Sequence, residues 1–104
     1  MSNLNILTIC GSLKFQKEMM QISEELELQG ICVLSPVYPT REDKAAYTKE
    51  ELLMFDKMHK EKIKLSDAIF VVNVDGYIGS STRSEIEYAK SLGKEILYYT
   101  DFRK

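Results

Sequence analysis

Long apolar runs are missing from this sequence. The longest, Ala68-Ile69-Phe70-Val71-Val72, is far short of the roughly 20 residues that cross a bilayer, and no basic segment followed by an apolar run opens the chain. The expectation is a cytoplasmic protein with no membrane partner. Cysteine is equally scarce: Cys10 and Cys32 show neither CxxC spacing nor a neighbouring histidine, so both are expected as buried free thiols, with no disulfide and no metal site. Charge of one sign is lacking too. Fourteen basic residues against sixteen acidic ones leave a net charge of −2, which removes any broad attraction to nucleic acid. Neither a GxxxxGK[ST] loop nor a GxGxxG fingerprint occurs, so ATP hydrolysis and dinucleotide-dependent hydride transfer lose their usual support and no cofactor is expected. These absences leave open a small-molecule ligand.

The residues that are present describe one folded domain over residues 1–104, 44% hydrophobic and 29% charged. Residues 4–10 read as a buried strand ended by the Gly11-Ser12 turn. Phe15, Met19, Ile22 and Leu26 recur at helical spacing over residues 15–29, with Gly30 as the stop. Residues 31–35 form a short strand closed by Pro36, and residues 36–47 read mostly as loop. Thr48-Lys49-Glu50-Glu51 is a capping box that opens a helix running to about Leu65, its stripe marked by Leu52, Phe55 and Ile63. Residues 68–74 are the most hydrophobic strand, residues 75–81 a glycine-rich loop, 82–92 a helix and 95–99 a last strand.

This βαβαβαβ order implies an α/β flavodoxin-like or Rossmann-like three-layer domain. It has a four-stranded parallel sheet in the order 2-1-3-4 and three helices. Connections that leave strands one and three in opposite directions open a crevice at their C-terminal ends, where residues 11–14 and 75–81 meet. Each loop feeds a helix N-terminus, whose free N–H groups favour an anion. Gly11, Ser12, Lys14, Gly79, Ser80 and Ser81 are therefore the candidate binding residues. They read equally as turn glycines and capping serines without a ligand. Glu85 faces the crevice and has the chemistry of a nucleophile for an anomeric carbon. Thr82-Arg83-Ser84-Glu85 is also a capping-box pattern, in which Glu85 only folds back on the helix start. Asp75 ends the central strand on the crevice side as a candidate second carboxylate; Asp67, before that strand, reads as structural.

The opening Ile6-Leu7-Thr8-Ile9-Cys10-Gly11-Ser12-Leu13-Lys14 resembles the first strand and Cys-Gly-Ser turn of deoxynucleoside 5′-monophosphate hydrolases, members of the nucleoside 2-deoxyribosyltransferase family. Residues 66–74, Gly79-Ser80, Glu85 and Ala89 through Gly93-Lys94 to Leu97 are similar to the family's "ADxVVA…G…E…A…GK" run. Residues 76–89 also resemble a "GYIGxSTxxEIEYA" segment of small bacterial and phage proteins. The resemblance implies that Glu85 displaces the base from C1′ of a nucleoside or nucleoside 5′-monophosphate, by hydrolysis or transfer. A nucleotide-binding module without turnover is the other reading. The resemblance also places the family's glutamate-orienting tyrosine at Thr8, for which Tyr77 is the candidate substitute, and an acid of some relatives at about His59. The chain is shorter than typical members, and relatives build the site at a subunit interface. A homodimer or higher homo-oligomer is thus expected, with Tyr88, Met54 and Met58 available to a partner.

Overall fold

The computed structural model describes residues 5–102. Four parallel strands, β1 (Ile6–Cys10), β2 (Cys32–Leu34), β3 (Ala68–Val71) and β4 (Glu95–Tyr98), lie in the order β2-β1-β3-β4. Leu4, expected to begin the first strand, lies outside the described residues. Helices α1 (Gln16–Leu28), α2 (Lys49–Leu65) and α3 (Ser80–Ser91) are the three connections, and a short α4 (Tyr99–Phe102) follows β4 directly. This fourth helix was not expected. Thr100 and Asn73 exchange two hydrogen bonds of 3.2 Å and so tie it to the residues after β3.

Alternation along the strands sorts the core into two halves. Leu7, Ile9, Ala68, Phe70 and Val72 pack against Met19, Ile22 and Leu26 of α1. Cys10, Ile69 and Val71 face the other way, toward Ile63 of α2 and Ile86 and Ala89 of α3. Since β1 and β3 each have a neighbour on both sides, their side chains are almost all buried, which explains their near-continuous apolar sequence. Strand β2 is an edge. Cys32 on it is exposed, contrary to the expectation of two buried thiols, because the sheet covers only one side of that strand.

Thr48 caps α2 as the sequence implies: its hydroxyl accepts from Glu51 N at 3.1 Å and Glu51 Oε1 accepts from Thr48 N at 2.9 Å. The same carboxylate receives the Arg41 guanidinium through two contacts of 3.0 and 3.2 Å. Arg41 also lies 4.4 Å above the Tyr47 ring, so the loop at 36–47 is fastened to the start of α2. At the far end of α2, Thr8 and Ser66 hydroxyls contact each other and both donate to Lys62 O. Asp67 Oδ2 accepts from Asn5 N and Ile6 N at 2.9 Å each, the structural role expected of it.

Close approach of backbones shapes the end of β1. A Cβ on Gly11 would stand 3.1 Å from Val72 O and 3.2 Å from Met19 Sδ. The methionine can move aside. The carbonyl cannot, because Val72 N donates to Cys10 O at 2.8 Å and holds that backbone in place. Gly11→Ala is expected to cost about 1–3 kcal/mol of overpacking, read as a lower urea midpoint with an unchanged slope.

Candidate functional site

A cleft of about 720 Å³ opens at the C-terminal ends of β1 and β3, within the size range of small-molecule sites. One wall is the turn after β1, with Gly11, Ser12 and Lys14; another is the loop before and first turn of α3, with Gly79, Ser80 and Ser81. Every expected binding residue thus lines it. Tyr77 lines it as well, half exposed, with Lys14 Nζ 3.4 Å from its ring centroid and Phe15 edge-on at 5.9 Å. Asp75 does not. The strand stops at Val71, and Asp75 sits four positions on, exposed in a 3-10 turn with left-handed φ of 55°. It is therefore not the second carboxylate of the cleft. The third wall was missed: Pro36, Val37, Arg41 and Tyr47 of the long loop border the same space. Loop length was the one signal that pointed there.

Glu85 is not a helix cap. Helix α3 starts two residues earlier than expected, with Gly79 as N-cap, so Thr82 lies inside the first turn and the capping-box geometry never arises. Glu85 instead shares the inward stripe of Thr82, Ile86 and Ala89 and is 9% exposed. His59 shares the inward stripe of α2 with Ile63 and is 6% exposed. The two stripes meet against β1, where His59 Nε2 stands 3.5 Å from Glu85 Oε1 and 3.4 Å from Cys10 Sγ. Position along β1, not its face, explains why Thr8 is absent from this cluster. Cys10, two residues on, shares its face but reaches the C-terminal end, while Thr8 is occupied by Ser66 and Lys62 O.

Burial sets the protonation of the cluster. It pushes Glu85 up to about 7 against the opposing hydrogen bond from Cys10, with Asp56 raising it further and Lys60 lowering it. Burial likewise pushes His59 down to about 4, helped by Lys62 and opposed by Asp56. The Cys10 thiol is raised by burial and by the Glu85 charge, and so stays a thiol. At slightly acidic pH the pair therefore holds one proton, on the carboxyl group.

Three solved structures share this architecture. A 2-deoxyribosyltransferase from the psychrotolerant bacterium Bacillus psychrosaccharolyticus superposes with a TM-score of 0.70 at 20% identity, covering 89% of this chain and 70% of that one. The chain shares its fold. A 2-desoxiribosyltransferase from Leishmania mexicana gives 0.66 at 18% identity, over 91% and 63% of the two chains. A conserved protein from Enterococcus faecalis gives 0.65 at 19%, over 91% and 62%. No sequence-family profile matches the chain, and no curated protein matches it by sequence. Among the described residues no helix is long and apolar enough to cross a membrane.

Proton counting in the pair gives a testable signature. Unfolded, Glu85 ionises near 4.5 and His59 near 6.5; folded, the values are about 7 and about 4. Between those unfolded values both states hold one proton, on His59 when unfolded and on Glu85 when folded, so the pair adds no pH dependence there. Glu85→Gln leaves a depressed histidine, so stability should fall as pH drops from 6.5 toward 4. His59→Gln leaves a raised carboxyl, so stability should fall as pH rises from 4.5 to about 7. Each slope should amount to about 3 kcal/mol in total, measured by urea unfolding of chelator-treated protein across pH.

Proposed function

We propose that the protein belongs with the nucleoside 2-deoxyribosyltransferases and cleaves or exchanges the N-glycosidic bond of a nucleoside or nucleoside 5′-monophosphate, with Glu85 as nucleophile. The observation that carries this reading is the placement of Glu85: a buried carboxylate on the wall of the crevice between β1 and β3, in a fold shared with two 2-deoxyribosyltransferases. A pKa of about 7 leaves a substantial ionised fraction at neutral pH, the proton given up passing to solvent through the cleft, and neutral His59 stands 3.5 Å from the carboxylate. The ionised oxygen attacks C1′, the C1′–N bond breaks, and a glycosyl ester forms that water or a second base resolves. The buried carboxylate also stabilises the positive charge that develops on the sugar ring, more strongly than it would in water.

Binding is assigned to the two loop walls. Gly79 caps α3 without a side-chain hydrogen bond, leaving the first-turn N–H groups of Ser80 and Ser81 open to an anion, with Lys14 and Ser12 across the cleft. Tyr77 is proposed as a wall of the base or sugar site rather than as the group that orients Glu85, since its ring contacts are Lys14 and Phe15. That same observation favours the second reading, a cytoplasmic nucleotide-binding module without turnover.

Glu85→Gln decides between them. Base release from a panel of nucleosides and 5′-monophosphates, followed by chromatography, should be lost in the variant while ligand affinity stays within about tenfold, and wild type should yield a glycosyl adduct on Glu85 by mass spectrometry. Ligand binding by wild type with no base released from any member of the panel would establish the binding module instead.

We further propose a homodimer. Leu53, Met54 and Met58 are exposed on α2, and the chain spans 62–70% of the lengths of the matching structures, which leaves the cleft shallow. Light scattering at micromolar concentration should give twice the 12.0 kDa chain mass; a monomer that retains activity would refute it.

A further inference from the structure

We propose that Cys10, His59 and Glu85 form a binding site for a zinc-class divalent ion at the base of the cleft. One ligand atom from each, Sγ, Nε2 and a carboxylate oxygen, lies within 4.8 Å of the other two. The two separations that involve His59 fit a single ion. Tetrahedral zinc, with Zn–S about 2.3 Å and Zn–N or Zn–O about 2.0–2.1 Å, holds its sulfur and nitrogen ligands roughly 3.5 Å apart and its nitrogen and oxygen ligands roughly 3.3 Å apart. Here the Sγ to Nε2 distance is 3.4 Å and the Nε2 to Oε1 distance 3.5 Å.

The donor set narrows the choice of metal. One thiolate, one imidazole and one carboxylate suit zinc or cobalt, whereas magnesium and calcium require oxygen donors. Charge also balances, since a thiolate and a carboxylate neutralise a divalent ion and bury no net charge. Among the described residues Glu85 has no ion-pair partner besides His59, so no lysine or arginine already fills the place of the cation. Three protein ligands leave a fourth position, and because His59 and Glu85 line the cleft while Cys10 lies behind them, that position faces the cleft. The ion enters from that side.

The three ligands come from β1, α2 and α3, which explains why spacing in the sequence gives no hint of the site. Binding requires the Cys10 thiol, and the Glu85 carboxyl where it is protonated, to lose their protons to solvent as the metal–ligand bonds form, with no change of oxidation state. An ion here engages the carboxylate that the nucleoside reading assigns to C1′, so metal and substrate exclude each other; that corollary rests on the reading, whereas metal binding does not.

Cobalt(II) tests the site without any measure of activity. Titrating the purified, chelator-treated protein should develop a thiolate-to-cobalt charge-transfer band and tetrahedral ligand-field bands, saturating at one equivalent and bleached by added zinc. Cys32→Ser should leave the spectrum unchanged, because Cys32 is exposed on the edge strand and pairs with Ile6, at the other end of β1 from Cys10. Cys10→Ser should abolish the charge-transfer band. Glu85→Gln, which keeps the shape of the site if Cys10 substitution prevents folding, should weaken cobalt affinity by at least about tenfold. No band in folded wild type at excess cobalt, a band lost in Cys32→Ser, or an affinity unchanged in Glu85→Gln would each overturn the proposal. Because the readout is a spectrum of cobalt bound to protein, the test stands whether or not a nucleoside is ever cleaved.

Discussion

The pairing of β1 with β3 is the constraint on which the rest of this structure depends. Register sets Cys10 beside Val71, so the two central strands end together, and their connections then depart to opposite sides of the sheet. From that arrangement come the crevice, the turn at Gly11 that borders it, and the placement of Cys10, buried behind it. Gly11 is the visible sign of how tightly the two strand ends are packed, since Val72 O already occupies the space a side chain would need.

Polar groups on apolar stripes are the second theme. His59 on α2 and Glu85 on α3 occupy positions that their neighbours Ile63, Ile86 and Ala89 fill with hydrocarbon. Helical periodicity carries them inward as it would carry a leucine, and two poorly hydrated titratable groups then face each other across a short gap. Each is driven to its neutral form by the same desolvation. One titratable residue on the inward stripe of each helix is thus enough to set two ionisable groups against each other, provided that the two fall at the same height above the sheet.

The fold was legible in the sequence because each strand and each major helix carried its own local signal: alternation or a dense apolar run for the strands, a periodic stripe and a cap for the helices. The order of the sheet followed from connection rules and agrees with the structure. The crevice loops were legible for the same reason. The cluster was less so. Glu85 could be placed on a helix but not distinguished from a cap, because that distinction turned on whether Gly79 or Thr82 caps α3, a shift that local preference does not decide. His59 had no partner in sequence; its neighbours come from a strand 49 residues earlier and a helix farther on. Asp75 was misplaced because apolar residues run on past the point where strand pairing ends. The short α4 escaped notice because four residues after a strand carry too little periodicity to register.

Alternation in β1 has a consequence for descent as well as for packing. Thr8 and Cys10 point to one face of the sheet, while Leu7 and Ile9 point to the other. A side chain of this strand that faces α2 and α3 can therefore shift during divergence only by two positions at a time. An insertion or deletion of a single residue before Gly11 would hand the post to a hydrocarbon and bury the thiol against α1.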